Sequence, residues 1–428
     1  MNTIVYTLCL AAVLTGCVSA PAVETSEASQ SMVIETTAIT TEILEPTETT
    51  IDIQALHESM SEALVGRIYE DLMGEPMPSE EWEELIVSLS NDEITANDVV
   101  DTFIQSDIMS DESMTDEDFI RGCYRAFRGG EPDGNELRFC EGLLADGVTR
   151  EDAALILMQS EQFGEECSEY GFLVEYTPMA SEYFEDTYGY INSIPSTGNV
   201  SSIGGFVPDS NSLSLLYDAM EELHYEFSFI LLDVNTGRGL SYNQDAIYYT
   251  ASSIKGPFAA SFCCQAPDIA AGWENTIISM LETSDNDAYA ALNDTYHRVY
   301  IQQWCEQIGL DTVPFGWKYP HIGVRQMAAL WMRSYEFFEE GEWGATVGTW
   351  FENPTYSVIR SELGELYTTR SKAGWLVDEE PDHTTSIDAG IVYADNGPYV
   401  VVIMSRVPSS LEYLRPLLQA LEAAHQCM

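Results

Sequence analysis

The sequence of 428 residues predicts an α+β protein, with an antiparallel sheet flanked by helices and a separate small all-α repeat domain before it. Strand-like apolar runs near both ends of the C-terminal half predict the sheet. Helical spacing between those runs predicts a central helical block, and two similar segments earlier in the chain predict the repeats. With 45% hydrophobic and 11% aromatic residues, the chain has enough apolar side chains to form cores.

Residues 1–17 predict a lipoprotein signal peptide. The apolar run IVYTLCLAAVL is too short to span a bilayer and leads directly to Leu14-Thr15-Gly16-Cys17. This quartet resembles the box of bacterial lipoproteins, in which the cysteine is lipidated after cleavage before it. Because no lysine or arginine precedes the run, an ordinary secretory peptide cleaved near Ala20 is the alternative. We expect an extracytoplasmic protein, lipid-anchored to the bacterial cell membrane or secreted.

The composition argues against several partners. Acidic residues outnumber basic ones by 71 to 17, for a formal net charge of -54, so no nucleic-acid partner is expected. Besides Cys9 and Cys17, seven cysteines follow, and their spacing fits no zinc site. They form disulfides or are buried as small hydrophobic side chains. The six histidines are scattered, and no metal or cofactor is expected.

Residues 18–54 are rich in threonine, serine, glutamate and proline, which predicts a disordered stalk. Residues 55–168 predict an all-helical tandem-repeat domain. GRIYEDLMGEP begins the first unit and GCYRAFRGGEP the second, so that Tyr69 matches Tyr124. Each unit alone is too small to bury its apolar face. The repeat is similar to one of unassigned function in bacterial surface proteins, and it either binds a wall or surface ligand or is a folded spacer.

Residues 169–208 predict a linker, and residues 209–428 predict the sheet-containing domain. LSLLYDAMEEL has the spacing of an amphipathic helix, and FSFILLDV, NTGRG and LSYN predict a strand, a turn and a strand. After the helical block, SIDAGIVYA and YVVVIMSRV predict two strands joined by a turn, and LEYLRPLLQALEAA predicts a closing helix. The helices therefore cover the faces of an antiparallel sheet.

The segment Ser252-Ser253-Ile254-Lys255 carries the first chemical signal. If a helix begins near Ser252, the hydroxyl and the Lys255 amine share one face, because they are three residues apart. A serine needs a base to become a nucleophile, and a lysine buried among small and apolar residues can supply a neutral amine. Arginine could not, because it keeps its proton. Taken alone, the motif also fits a helix start with a snorkelling lysine.

Two further motifs follow in order. Ser284-Asp285-Asn286 precedes a helical stretch, and Lys372-Ala373-Gly374 precedes the two late strands. In this order, between an opening and a closing pair of strands, the three motifs resemble those of class A β-lactamases and of penicillin-binding transpeptidases and carboxypeptidases. The resemblance covers roughly residues 209–428. It implies an antiparallel sheet backed by helices, with an all-helical subdomain in the middle.

The resemblance also implies roles for single residues. Ser252 would be the acylated nucleophile, Lys255 its base or proton relay, and Ser284 the bridge that carries a proton to the leaving group. The N–H groups of Ser252 and Trp375 would form the oxyanion hole. The implied catalytic residues are Ser252, Lys255, Ser284 and Lys372, and the implied substrate-binding residues are Asn286, Gly374, Trp375 and Arg370.

The sequence departs from the family pattern in two places. Ala373 replaces the usual threonine or serine that contacts a substrate carboxylate, and Arg370 on the same strand face either compensates or is a surface charge. The family's Glu-x-x-Leu-Asn loop, whose glutamate activates the deacylating water, is missing between Asn286 and Arg370, and Asp311 lies too near the preceding helix. A general base typically contributes about 10²- to 10⁴-fold, so slow deacylation is expected. Lys318 is a substitute base or a loop charge.

The sequence therefore predicts a β-lactamase-like serine hydrolase that acts on a lactam, amide or ester through an acyl-Ser252 intermediate. A D,D-peptidase is the nearest enzymatic alternative. The other alternative is a non-catalytic or acyl-trapping cell-surface protein that binds wall peptide or penicillin. The expected partners are a small acyl substrate (a β-lactam or wall peptide), the membrane through a lipid anchor, and a wall or surface ligand of the helical repeats.

Overall fold

The computed structural model describes residues 53–78, 82–106, 114–172, 186–310, 318–379 and 381–428. The predicted signal peptide with Cys17, the stalk up to residue 52, and Asp311 lie outside these residues. Within the described residues, no helix combines the length and the apolar character needed to cross a bilayer.

The helices alternate with short strands in the C-terminal half. The helices are α1 (Ile53–Met73), α2 (Glu83–Ser90), α3 (Ala96–Ile104), α4 (Asp116–Arg128), α5 (Gly134–Ala145), α6 (Arg150–Met158), α7 (Glu161–Glu169), α8 (Thr187–Ser193), α9 (Ser210–Glu222), α10 (Lys255–Gln265), α11 (Pro267–Ala271), α12 (Glu274–Glu282), α13 (Asn286–Tyr296), α14 (Val299–Gln307), α15 (Val324–Glu339), α16 (Gly341–Thr349), α17 (Val358–Leu363) and α18 (Arg415–His425). The strands are β1 (Ser201–Ile203), β2 (Phe227–Asp233), β3 (Gly239–Tyr242), β4 (Tyr248–Tyr249), β5 (His321–Ile322), β6 (Thr368–Ser371), β7 (Gly374–Leu376), β8 (Thr385–Ala394) and β9 (Gly397–Ser405). Short 3-10 turns cover Ala251–Ile254, Pro381–His383 and Leu411–Leu414.

The two repeats form corresponding sets of three helices, α1 to α3 and α4 to α6. A threonine caps the third helix of each set: Thr95 accepts from the N–H of Asp98, and Thr149 accepts from the N–H of Asp152 at 3.1 Å. Such a cap satisfies an N–H that the first turn of a helix leaves without a partner. The matched residues Tyr69 and Tyr124 are both buried.

The main sheet is antiparallel and runs in the order β1-β3-β2-β9-β8-β6, with β7 also paired to β8. The predicted fold class, an α+β protein with an antiparallel sheet flanked by helices, is confirmed. The predicted turn between the two late strands joins Ala394 to Gly397, which has a φ of 140° that favours glycine. Every residue of β2 is buried, because helices cover both faces of the sheet.

Alternate residues of the central strands enter two different cores. Phe229 and Val401 belong to a buried cluster that extends to the repeat helices, where it includes Leu64 and Phe119. Their neighbours Ile230 and Val402 point to the opposite face and pack with the central helical block, including Phe258, Trp304 and Trp331. The repeats and one face of the sheet therefore share one continuous core.

Part of the predicted linker takes regular structure, since α8 and β1 lie within residues 169–208 and β1 pairs with β3. The seven described cysteines are free thiols: Cys123, Cys140, Cys167, Cys263, Cys264, Cys305 and Cys427. Across the described ranges, no group of three or more His, Cys, Asp or Glu side chains is arranged to hold a metal ion.

Candidate active site

Ser252 lies in the 3-10 turn Ala251–Ile254, between β4 and α10. Side chains three residues apart eclipse in such a turn, so Ser252 and Lys255 project from the same side. Ala251 has a φ of 44°, in the left-handed region that costs a residue with a side chain about 1 kcal/mol. Ser252 is half-buried, whereas Ser253 is buried and its hydroxyl donates to a backbone carbonyl at 2.7 Å. Of the two serines, Ser252 is therefore the one that a substrate can reach.

Ser284 connects the two lysines that the motifs single out. Lys255 Nζ donates to the Ser284 carbonyl oxygen at 2.8 Å, and Lys372 Nζ donates to Ser284 Oγ at 3.2 Å. Ser284 itself has a φ of 59°, a backbone conformation that residues other than glycine seldom adopt. The fold thus brings together the lysine of the first motif, the serine of the second and the lysine of the third.

The side-chain carbonyl oxygen of Asn286 accepts two hydrogen bonds. Lys255 Nζ donates to Asn286 Oδ1 at 2.6 Å, and the Tyr319 hydroxyl donates to the same oxygen at 3.3 Å. Asp285 accepts from the N–H groups of Asp287 and Ala288, which fixes the start of α13. Within the described part of the chain, no hydrogen bond involves Asn286 Nδ2. That group can donate to the carbonyl of a bound amide.

In the lysine pocket, formed by Lys255, Ser284 and Lys372, the two lysines are buried and Ser284 is half-buried. The Lys255 side chain is 0% exposed and that of Lys372 is 1% exposed. Burial lowers the pKa of Lys255 to about 8, although the charge of Asp285 opposes this shift. Burial and the nearby charge of Lys255 together lower the pKa of Lys372 to about 7, although the charge of Asp388 opposes this shift. Both amines therefore exchange protons near neutral pH.

Lys255 and Ser252 are not hydrogen-bonded to each other in this structure. The Lys255 amine donates instead to the carbonyl oxygens of Ser284 and Asp285 and to Asn286 Oδ1. Catalytic hydrogen bonds are often long in ligand-free structures and tighten when substrate binds. Proton transfer from Ser252 requires that the amine exchange one of these acceptors for the hydroxyl.

Strand β7 runs directly against the turn that carries Ser252. A Cβ atom at Gly374 would lie 2.3 Å from the backbone nitrogen of Ser253 and 2.7 Å from that of Ser252, so glycine is required there. This close approach brings the start of β7, at Gly374 and next to Trp375, alongside the Ser252 N–H. The Trp375 ring is half-buried, with its centroid 5.1 Å from that of the exposed Tyr356.

Three other residues named from the sequence have different surroundings. Ala373 is 1% exposed, so its methyl group is buried. The Arg370 guanidinium donates to the Tyr393 hydroxyl at 2.6 Å and lies 3.5 Å from Glu339 and 3.6 Å from Glu352. Lys318 Nζ lies 3.2 Å from Asp294 at the surface. Contact of Arg370 with a substrate would require the loss of these partners, and its binding role stays a prediction.

Sequence reasoning missed three residues around the lysine pocket. Tyr319 donates to Asn286 Oδ1, the Tyr289 ring lies 5.5 Å from Lys255 Nζ, and the buried Asp388 acts electrostatically on Lys372. Of the three, only Asp388 could have been suspected from the sequence. It lies inside the apolar run SIDAGIVYA, and a carboxylate is seldom buried there without a partner. The tyrosines carried no such signal.

The C-terminal domain matches the model of the β-lactamase enzyme family over residues 265–423. The predicted resemblance to this family is confirmed for the C-terminal domain. The matched residues include Ser284, Asn286 and Lys372, whereas Ser252 and Lys255 lie before them.

Several solved β-lactamase structures are similar to this chain. A β-lactamase from Chitinophaga pinensis shares 12% identity over 50% of this chain and 98% of its own length, with a TM-score of 0.43. One from Sphaerobacter thermophilus shares 17% identity over 52% and 97%, also with a TM-score of 0.43. An ancestral class A β-lactamase shares 15% identity over 50% and 99%, with a TM-score of 0.41. A search of curated protein sequences gave no match.

Proposed function

We propose that the C-terminal domain is a serine hydrolase that opens a β-lactam, or a related amide or ester, through an acyl-Ser252 intermediate. The observation that carries the proposal is the position of Ser284, whose carbonyl oxygen accepts from buried Lys255 and whose hydroxyl accepts from buried Lys372. A hydroxyl that accepts from one amine of lowered pKa, on a residue whose carbonyl oxygen accepts from a second, is suited to proton transfer. The family match over residues 265–423 supports the same chemistry.

In the acylation step, neutral Lys255 takes the proton of Ser252 Oγ, directly or through a relay, as the oxygen attacks the substrate carbonyl carbon. Negative charge develops on the carbonyl oxygen, where the N–H groups of Ser252 and Trp375 stabilise it. The carbon–nitrogen or carbon–oxygen bond then breaks as Ser284 Oγ passes a proton to the leaving atom and regains one from protonated Lys255, so that the proton of Ser252 ends on the leaving group. Lys372 supplies positive charge beside Ser284, and Asn286 Nδ2 donates to the substrate amide.

Deacylation is the slow step in this proposal. It requires a base that activates water, and the sequence lacks the glutamate that the family uses for this purpose. Lys318 is paired with Asp294 at the surface and is not assigned as a substitute. This shortage of a base favours a second candidate function, in which the protein traps penicillin or wall peptide as a lasting acyl-enzyme. A D,D-peptidase activity on wall peptides would use the same acylation chemistry.

We also propose that Cys17 carries a lipid anchor and that the repeats bind a wall or surface ligand or act as a spacer. Extracytoplasmic placement would bring the site close to cell-wall peptides and to antibiotics. This part of the proposal rests on the sequence of the leader and of the repeats, as argued above.

A fluorescent penicillin tests the proposal. Wild-type protein should become labelled, Ser252→Ala should remove the label, and the neighbouring Ser253→Ala variant should keep it because Ser253 is buried. Loss of the label within minutes would indicate hydrolysis, whereas a persistent label would indicate acyl trapping. Absence of label from penicillin, fluorophosphonate and ester probes alike would reject the acyl-enzyme.

A further inference from the structure

Four aromatic side chains form a cluster just before the turn that carries Ser252. Tyr249 on β4 pairs with His321 on β5, so their side chains point to the same side of this short ribbon. The Tyr249 ring centroid lies 5.4 Å from that of His321, 4.9 Å from that of His383 and 5.9 Å from that of Tyr319. The rings of His321 and His383 are 5.4 Å apart. Tyr249, Tyr319, His321 and His383 thus form one aromatic cluster.

The aromatic cluster lies at the edge of a hydrophobic core and not inside it. All four side chains are half-buried, whereas Tyr289, whose ring centroid lies 5.4 Å from that of Tyr319, is 1% exposed. Among the described residues, Tyr249 belongs to neither of the two buried cores. Its ring is tilted by 38° to 59° against its three neighbours and is not stacked face to face with them. Core packing therefore does not account for the cluster, and part of each ring remains open to a ligand.

Two rings of the aromatic cluster also carry polar groups that a ligand can use. Within the described ranges, no hydrogen bond involves the Tyr249 hydroxyl or the ring nitrogens of His321. A half-buried hydroxyl or imidazole in this state can bond to a bound molecule. His383 differs, because its Nδ1 lies 3.6 Å from Asp378. The cluster therefore offers ring faces together with hydrogen-bonding groups.

The aromatic cluster is continuous with the candidate active site. The Tyr319 hydroxyl donates to Asn286 Oδ1 at 3.3 Å, and Lys255 Nζ donates to the same oxygen at 2.6 Å. In the proposed reaction, Asn286 Nδ2 holds the amide on the acyl side of the substrate, whereas Ser284 protonates the leaving atom on the other side of the broken bond. The cluster therefore lies on the side of the acyl substituent.

We infer that the aromatic cluster binds a flat aromatic ring on the acyl substituent and so selects substrates that carry such a ring. The inference rests on the proposed function and names the substrate class for the same site. Aromatic rings attract each other at centroid distances of about 4.5 to 7 Å, through dispersion and the complementary charge of ring face and edge. The structural alternative is that the four rings only hold β4, β5 and the turn Pro381–His383 together. Their loss would then affect stability and not the choice of substrate.

Two penicillins that differ only in the ring test the inference. Benzylpenicillin has a phenylacetyl substituent, whereas 6-acetamidopenicillanic acid keeps the amide and has an acetyl group in its place. Intact-protein mass spectrometry gives the acylation rate for each compound. We expect the wild type to react faster with benzylpenicillin by about 2- to 10-fold, the effect of one aromatic pair. A ratio of one or below in the wild type would overturn the inference.

Tyr249→Leu removes the central ring and keeps an apolar side chain, so it should bring the ratio of the two rates close to one. Tyr249→Phe keeps the ring and should retain most of the preference. The matched control is Tyr242→Leu, because the Tyr242 ring contacts Phe227 and Phe229 on the core shared with the repeats. The control should keep the wild-type ratio. If Tyr249→Leu does not fold, His321→Leu on the paired strand replaces it, and an unchanged ratio in the folded variant would overturn the inference.

A binding measurement on Ser252→Ala separates the inference from the proposed function. This variant cannot form the acyl-enzyme, so saturation-transfer difference NMR reports the noncovalent contacts of benzylpenicillin. The phenyl protons should receive more saturation than the methyl protons of the bicyclic part, and adding Tyr249→Leu should remove the difference. Weaker or equal saturation of the phenyl protons would overturn the inference even if penicillin acylates the wild type. Strong phenyl saturation without any acylation of the wild type would instead reject the acyl-enzyme and support the aromatic cluster as a binding site.

Discussion

Two cations on one strand face have opposite surroundings. Arg370 and Lys372 are two residues apart, and alternate residues of a strand point to the same side. The arginine end is formed by Arg370, Tyr393, Glu339 and Glu352. There, two carboxylates lie close to the guanidinium and compensate its positive charge. In the lysine pocket, Lys372 donates to Ser284 Oγ and to the Ala373 carbonyl, both neutral, and a second amine lies nearby.

The difference separates a structural cation from a reactive one. A guanidinium between carboxylates stays charged and connects elements of the fold. An amine that is buried with neutral acceptors and near a like charge has a lowered pKa, so it can give up and regain a proton. The contrast predicts that the arginine end contributes to stability and that the lysine pocket contributes to chemistry.

Lys255→Arg should cause the largest loss of acylation rate. Arginine keeps the positive charge but cannot act as a neutral amine. The rate of labelling by fluorescent penicillin should fall by about 10²- to 10⁴-fold, as is typical for loss of a general base. Lys318→Arg, at the exposed lysine, is the matched control and should label at the wild-type rate. An unchanged rate in Lys255→Arg would show that the neutral amine is not needed.

Gly374→Ala should move strand β7 away from the nucleophile Ser252. The new methyl group would meet the backbone nitrogens of Ser253 and Ser252, so β7 has to move away from the turn. A displacement of about 1 Å at a reacting centre can cost about 10²-fold in rate. Acylation kinetics measure the effect, with Gly198→Ala as control because nothing lies within 4 Å of its Cβ position. Equal rates in the two variants would contradict the close approach of β7.

Substitution of each cation by methionine should change the free energy of unfolding much more at Arg370 than at Lys372. Arg370→Met leaves Glu339 and Glu352 without their cation, and we expect a loss of about 1 to 3 kcal/mol in the free energy of unfolding. Lys372→Met removes a buried amine with a lowered pKa, so its effect should be near zero or stabilising. Urea unfolding measures both. A greater loss in Lys372→Met than in Arg370→Met would reverse the assignment.

The pH dependence of stability sharpens the same contrast. The pKa of Lys372 is about 7 in the folded protein against an ordinary value of 10.5, so between these values the unfolded chain binds a proton that the folded chain does not. Stability of the wild type relative to Lys372→Met should therefore rise from pH 7 to pH 9, by about 1 kcal/mol per pH unit. Urea unfolding at several pH values tests the slope. A flat or falling difference would indicate that Lys372 stays protonated throughout.

Lys318→Met should have the smallest effect. Its ion pair with Asp294 is exposed, and such pairs contribute about 0 to 1 kcal/mol. We expect a change within that range in unfolding free energy and unchanged rates of acylation and label release. Slower release of the label would instead identify Lys318 as the substitute base for deacylation.

The strands of the central sheet could be predicted because their pattern is local. FSFILLDV and YVVVIMSRV are continuous apolar runs, as expected for strands covered on both faces, and each became a buried strand. Strand β1 was missed. Its residues, Ser201–Ile203, lie in a polar segment and pair with β3 through backbone groups that no side-chain pattern reveals.

The candidate site was predictable where its motifs are short and local. The spacing of Ser252 and Lys255 places both on one side of a turn, whatever the rest of the chain does. The partners of Arg370 could not be predicted, because Glu339 and Glu352 come from helical regions whose packing is tertiary. The contacts of Asp388 were hidden for the same reason, since Ser357 lies 31 residues earlier.

Peptide mapping of the acylated protein tests the central claim most directly. Trypsin cleaves after Arg238 and Lys255 and so releases Gly239–Lys255, which contains Ser252 and Ser253. After incubation with benzylpenicillin, tandem mass spectrometry should find one penicilloyl group in this peptide, on Ser252. A penicilloyl group on a different residue, or an unmodified peptide from protein that is folded and saturated with penicillin, would contradict the account.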